Sequence, residues 1–145
     1  MLTVTDRQLI AETLARQAFL VDENELDGLD EVFTPDATYD MTRSGLGAFQ
    51  SLDALRAAAG RLFASGRAPL SHFLTNVVIT ESGESAAVRS KGPMIMHDGS
   101  VHGVVYDDTI ALHEGLWLIA SRSSLPFAPL PPARTEGDDR TASRP

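Results

Sequence analysis

The sequence predicts an α+β fold, and three observations carry that expectation. Apolar residues recur at helical spacing from roughly Thr5 to Val21, and a second amphipathic helix pattern covers Leu52 to Ala64. From Leu70 to Phe127, strand-length runs are separated by turn signals, among them Asp98-Gly99 and Glu114-Gly115. Helices come first and a meander of long strands follows, which is the α+β order. The 145 residues make one domain, large enough to bury a core, and no internal repeat divides it.

Each element has its own local signal. Thr3 or Thr5 can cap the first helix, with Asp6 in its first turn. Leu9, Ile10, Thr13, Leu14, Gln17, Leu20 and Val21 form its mostly apolar stripe. A short second helix is expected from Glu25 to Phe33, ending at Thr34-Pro35 because the residue before a proline avoids helical dihedrals. Ala37 to Met41 reads as a short strand and Thr42 to Gln50, with Gly45 and Gly47, as a loop. Ser51 caps the third helix, Leu52 to Ala64, and Ser65-Gly66-Arg67-Ala68-Pro69 ends it. Long strands are then expected at Leu70–Glu81, Ser85–Met96, Ser100–Leu112 and Leu116–Phe127. The domain is expected to span residues 1–128, and the Pro-rich, charged segment 129–145 reads as a disordered tail.

Composition excludes several function classes. The net charge of −8 disfavours nucleic acid or an anionic membrane as partner, and no Lys/Arg cluster offsets it. No apolar run approaches the roughly 20 residues of a membrane span. The N-terminus lacks a basic region followed by an apolar one, so no secretory signal is read and a cytoplasmic location is expected. With no cysteine there are no disulfides, thiolate nucleophiles or Cys-ligated metals. No His-x-His or His-x₃-His spacing supports a metal site.

Two-residue turns at Asp98-Gly99 and Glu114-Gly115 would fix the register of the last three strands. Ile95 would pair with His102, Pro93 with Val104, Lys91 with Tyr106, and Arg89 with Asp108. Leu112 would pair with Trp117, Ile110 with Ile119, Asp108 with Ser121 and Tyr106 with Ser123. One face then carries His102, Val104, Tyr106, Ile110, Leu112, Trp117 and Ile119. It is the bulkier, more aromatic face and is assigned inward. Thr109, Ala111, Leu118, Ala120 and Arg122 fall on the opposite face. Arg89 and Asp108 suggest a cross-strand ion pair. Leu70–Glu81 is apolar on both faces, so its periodicity does not orient His72.

The stretch from Leu20 to Met41 organises the rest. It holds eight carboxylates and no Lys or Arg. Most suit a solvated acidic face. Asp22 differs, because it falls where the first helix ends and a helix C-terminus repels a carboxylate. It either caps the next helix or serves a site. The order helix, short helix, Asp-x₄-Asp-x₅-Phe-x-Pro-Asp-Ala (Asp22 to Ala37), strand resembles the SnoaL-like branch of the nuclear-transport-factor-2-like superfamily, which includes scytalone dehydratase and bile-acid 7α-dehydratase. The resemblance implies a cone-shaped barrel, a curved, mostly antiparallel sheet wrapped around three N-terminal helices. It also implies association through the outer sheet face, as a homodimer or homotrimer.

In SnoaL-like dehydratases an Asp after the first helix hydrogen-bonds a His near the start of the first long strand. Val21-Asp22 and Ser71-His72-Phe73 match those motifs, so the resemblance assigns Asp22 and His72 as a catalytic pair. A carboxylate orients the imidazole and stabilises its charged form, and the imidazole can then pass protons near neutral pH. Such a dyad suits dehydration, isomerisation or cyclisation of a hydrophobic carbonyl compound and needs no metal or organic cofactor. Tyr39, Met41, Lys91, His102, Val104, Tyr106 and Trp117 are the candidate substrate-binding residues. Tyr106 could donate its hydroxyl to a carbonyl oxygen or be an ordinary strand aromatic. His102 could be a second acid/base or a surface residue. Lys91 could be an electrophile or an ion-pair partner, and Trp117 is more in keeping with core. The tyrosines that scytalone dehydratase places before its Asp and on its first strand are replaced here by Val21 and Met41. That departure keeps a non-catalytic small-molecule binder or accessory subunit of the same fold as the alternative.

Overall fold

The computed structural model describes residues 1–127; the expectation of a disordered tail at 129–145 lies outside them. Helix α1 spans Val4–Asp22. Thr3 is its cap: the Thr3 hydroxyl accepts from the Asp6 amide, and the Asp6 carboxylate accepts from the Thr3 amide at 2.8 Å. Ile10, Leu14, Gln17, Ala18 and Leu20 are its buried face. The expected second helix is only a 3-10 helix, Leu26–Glu31, because the strand β1 starts at Phe33 and runs through Pro35 to Asp40. The expected loop at 42–50 holds a single 3-10 turn and a short strand β2, Ala48–Gln50, which pairs antiparallel with β1. Helix α2 spans Leu52–Ala64, with the Ser51 hydroxyl accepting from the Ala54 amide.

The sheet contains β1, β2, β3 (Ser71–His72), β4 (Thr75–Ser82), β5 (Ser85–Ile95), β6 (Val101–His113) and β7 (Leu116–Pro126). The path is β2-β1-β7-β6-β5-β3, with β4 also on β5. Neighbours are antiparallel except β1 and β7, which run parallel. The curled sheet wraps the helices in an α+β cone. Its core joins α1 (Ile10, Leu14), β1 (Phe33, Ala37), α2 (Leu52, Leu55) and the inner sheet face (Val88, Ile110, Ile119). No helix of the described residues is long and apolar enough to cross a membrane.

Three departures from regular pairing decide which side chains face inward. The first is the β5–β6 turn. It has three residues, not two: the Met96 amide donates to the Ser100 carbonyl at 2.9 Å, and Gly99 takes the left-handed conformation at φ 82°. The register therefore moves by one residue from the expected pairing. Met94 pairs with His102, Ser90 with Tyr106, Val88 with Asp108, Lys91 with Val105 and Arg89 with Asp107. Lys91 and Arg89 thus face outward. Arg89 meets exposed Asp107 at 3.4 Å, not Asp108.

The second departure is a bulge in β7. Leu112–Trp117 and Ile110–Ile119 pair as expected, but Thr109 pairs with Ser121, which leaves Ala120 as the extra residue. Beyond it the faces exchange. Arg122 pairs with Asp108 and Ser124 with Tyr106, so Arg122 is inside, contrary to its expected outward placement. Leu112, expected inside, is 56% exposed near the end of its strand.

The third is the break in the single strand expected at Leu70–Glu81. Phe73 and Leu74 separate β3 from β4, and the β4–β5 register shifts between Thr75 and Val78. Asn76 sits in that irregularity at φ 53°, a conformation Asn tolerates better than most residues. His72 and Leu74 point inward before the shift, and Val77 and Ile79 pack on the core after it.

Candidate active site

The cone encloses an open cavity of about 450 Å³, a size suited to a small molecule. Its wall is mostly apolar, with Val21, Leu29, Phe33, Leu55, Leu62, Met94 and Val104 among its members. Leu46 and Phe63 also line it and are each more than 40% exposed, which places them at the mouth.

His72 lies on this wall. Strand β3 sets its direction: His72 pairs with Met94, and the Leu70 and Phe73 amides donate to the Ile95 and Pro93 carbonyls at 2.8 and 2.9 Å. Asp22, the last residue of α1, holds it in two places. Its Oδ2 accepts from the His72 backbone amide at 2.7 Å, and its Oδ1 meets Nδ1 of the ring. The His72 side chain is 15% exposed and that of Asp22 8%. The carboxylate that would be unfavourable at a helix C-terminus is therefore stabilised by two bonds across to the sheet. With Nδ1 turned to Asp22, Nε2 is the free ring nitrogen. An imidazole oriented this way can accept and return a proton.

A second polar group lies deeper. Arg122 and Asp108 have fully buried side chains joined by a bidentate contact, Nε to Oδ1 at 2.7 Å and Nη2 to Oδ2 at 2.9 Å. Arg122 Nη1 also donates to Gln17 Oε1 at 2.8 Å. The guanidinium lies 4.1 Å from the centre of the Tyr106 ring and 5.9 Å from that of Tyr39, within range of a cation–π attraction. Burial opposes the charge on Arg122, but the charge and hydrogen bonds of Asp108, joined by Tyr39 and Tyr106, together outweigh it and the net shift favours the charged form. Burial raises the Tyr106 hydroxyl well above the usual phenol range, and the neighbouring Tyr39 adds to this. Burial likewise raises Tyr39, against the opposing pull of Arg122. Both hydroxyls are therefore neutral donors at ordinary pH. Gly92 makes room for this arrangement, since a Cβ there would overlap the Tyr106 ring.

Among the candidate binding residues, Tyr39, Met41, His102, Val104 and Tyr106 line the cavity. Lys91 does not: the three-residue turn puts it on the outer face, where Nζ lies 5.9 Å from the Phe127 ring centre. Trp117 does not line it either. It packs in the core beside α1, and its indole N–H donates to Asp6 at 3.0 Å. Gln17, Met94, Met96, Arg67 and Ser124 complete the wall, and sequence reasoning does not place them there. Gln17 reads from the sequence only as part of the α1 stripe. Ser124 cannot be found without the β7 bulge, and neither can Arg122. Among the described residues no three of His, Cys, Asp and Glu converge as a metal site.

A helix-filled, strongly curved sheet with an open apolar cavity defines the nuclear-transport-factor-2-like class. Within it, residues 2–123 match the model of the SnoaL-like domain, and the chain belongs to that family. Solved structures agree on the fold. A protein of unknown function with a cystatin-like fold from Nostoc punctiforme superposes with a TM-score of 0.77 at 18% identity, covering 90% of this chain and 97% of that one. Two proteins of Novosphingobium aromaticivorans, provisionally named aromatic ring hydroxylase and scytalone dehydratase, give TM-scores of 0.76 and 0.74. Their identities are 24% and 18%, with coverage of 89% of this chain and 94% of the first, and 86% of this chain and 86% of the second. No curated protein matches the chain.

Proposed function

We propose that this protein is a cofactor-independent acid/base enzyme acting on a hydrophobic, carbonyl-bearing small molecule by dehydration, isomerisation or cyclisation. The observation that carries the reading is the doubly anchored Asp22–His72 pair on the wall of an apolar cavity. In a dehydration, His72 Nε2 removes a proton α to the carbonyl. The enolate oxygen accepts a hydrogen bond from the neutral Tyr106 or Tyr39 hydroxyl. The C–O bond at the β-carbon then breaks, and the imidazolium returns the proton to the departing hydroxide. The products are the unsaturated carbonyl compound and water. Asp22 stabilises the imidazolium and fixes the tautomer. The name of the Novosphingobium relative, scytalone dehydratase, is consistent with this chemistry.

The test needs no known substrate. A panel of aromatic β-hydroxy ketones is incubated in D₂O, and α-proton exchange and enone formation are followed by nuclear magnetic resonance. The expected result is exchange by the wild type and a loss of about 10²–10⁴-fold in His72→Gln. Equal rates in both proteins would overturn the mechanism. Ligand binding without exchange or turnover would favour the non-catalytic binder.

Self-association belongs to the same reading. Val78 and Leu125 are 61% and 41% exposed on the outer sheet face, and a homodimer or homotrimer would cover them. A monomer in sedimentation velocity at micromolar concentration removes that part.

A further inference from the structure

We propose that the ligand is an anion, an apolar molecule bearing one carboxylate, and that Arg67 at the cavity rim recognises the charge. This deepens the reading above and rests on it only in taking the cavity as a small-molecule site. The chain carries 20 acidic residues and a net charge of −8, yet among the described residues no Asp or Glu lines the cavity. Its lining groups that can be cationic are Arg67, His72 and His102. The nearby Asp22 carboxylate lies behind His72 and is engaged by it. In an acidic protein, a wall free of acids offers an anion no repulsive neighbour at contact range.

Arg67 is positioned, not left trailing. Its amide donates to the Ser65 hydroxyl at 3.3 Å, and that hydroxyl donates to the Leu62 carbonyl at 2.6 Å. Three residues on, the Leu70 amide donates to the Ile95 carbonyl. The segment is thereby tied to the β5–β6 end that carries His102. Phe63 and Pro69 flank Arg67 on the same wall. Arg16, Arg56, Arg89 and Arg122 each have a carboxylate partner. Among the described residues, Arg67 has neither a carboxylate within 4.0 Å nor a side-chain hydrogen bond. A guanidinium with its fork open, at the edge of an apolar surface, matches a carboxylate in shape and charge.

Two fluorescent probes separate charge from apolar contact. 8-Anilinonaphthalene-1-sulfonate and N-phenyl-1-naphthylamine share one skeleton, and only the first carries an anionic group, which stands in for the carboxylate. Each is titrated into wild type, Arg67→Gln and, as an outer-face control, Arg89→Gln. The expected result is a weakening of about three- to tenfold for the sulfonate in Arg67→Gln. The neutral probe and the control variant should be unchanged. Equal loss of both probes, no loss, or an equal loss in Arg89→Gln would overturn the inference. Failure of the wild type to bind either probe would overturn it together with the small-molecule reading. The readout is binding alone, so a charge-specific loss in a protein without turnover would retain the inference while removing the enzyme reading.

Discussion

Asp108→Asn should be among the most damaging single substitutions in the chain. Both partners of the Asp108–Arg122 pair are fully buried and share two short hydrogen bonds. The substitution would leave a charged guanidinium in the interior facing a neutral amide. Breaking a buried pair from one side costs about 3–5 kcal/mol. At about 3–6 °C per kcal/mol for a domain of this size, the midpoint should fall by roughly 10–30 °C. The double variant Asp108→Leu/Arg122→Met removes both charges and leaves only the Gln17 amide without its partner, a cost of about 1–2 kcal/mol. Trp117, the single tryptophan, reports unfolding in urea by its fluorescence. The double variant should lie within about 2 kcal/mol of wild type, and the coupling energy should exceed about 2 kcal/mol. A single-variant loss below about 1 kcal/mol, or simple additivity, would refute the account of this pair.

Other outcomes follow from local geometry. Gly92→Ala should displace the Tyr106 ring and cost about 1–3 kcal/mol by overpacking, read from urea midpoints. Ser51 caps α2 from a strained φ of 85°; Ser51→Ala should lose about 1 kcal/mol, whereas Ser51→Gly should equal or exceed wild type because relieved strain offsets the lost cap. The Asp6 carboxylate is held below its ordinary value of 3.8 by the Thr3 hydroxyl first, then the Thr3 amide and the Trp117 indole. Folding thus favours its charged form. Its contribution is complete above the unfolded value and is lost as pH falls through the lower folded one, so stability rises with pH across that interval. Asp6→Asn should flatten the acid limb of the stability curve below about pH 4, and an unchanged limb would remove Asp6 as a contributor.

Element boundaries are largely legible in the sequence, whereas facing is not. Thr3, Ser51, Asp98-Gly99 and Glu114-Gly115 mark ends because capping and turn formation depend on adjacent residues. The direction of a side chain depends on a running count along the strand, and one extra residue reverses everything after it. Leu70–Glu81 reads as apolar on both faces because the count changes near Asn76: His72 and Leu74 are inward on one side of it, Val77 and Ile79 on the other. The same effect hides Arg122 beyond Ala120 and turns Lys91 outward past Gly99. Local composition carries no mark of the bulge at Ala120, an ordinary residue. The pairing of Asp22 with His72 comes from family resemblance, since no periodicity spans the 50 positions between them. Pro35 misleads in another way. It sits near the start of β1, where the strand tolerates a missing amide, so a helix-breaking signal is also an early strand residue.

The Asp22 carboxylate is also a mechanical fastener. One oxygen grips the ring of His72 and the other its backbone. Strand β3 has only two residues and lies at the rim of the sheet. The bond that aims the imidazole therefore also rivets the end of the first helix to a sheet margin with little hold of its own. An Asp22 variant would loosen a seam as well as free the imidazole, so under the proposed acid/base function a fall in turnover would not measure chemistry alone. Amide exchange along 70–74, compared between Asp22→Ala, which removes both acceptor oxygens, and His72→Gln, would tell the two apart. Only the first should open the seam, because the second keeps the backbone half of the rivet.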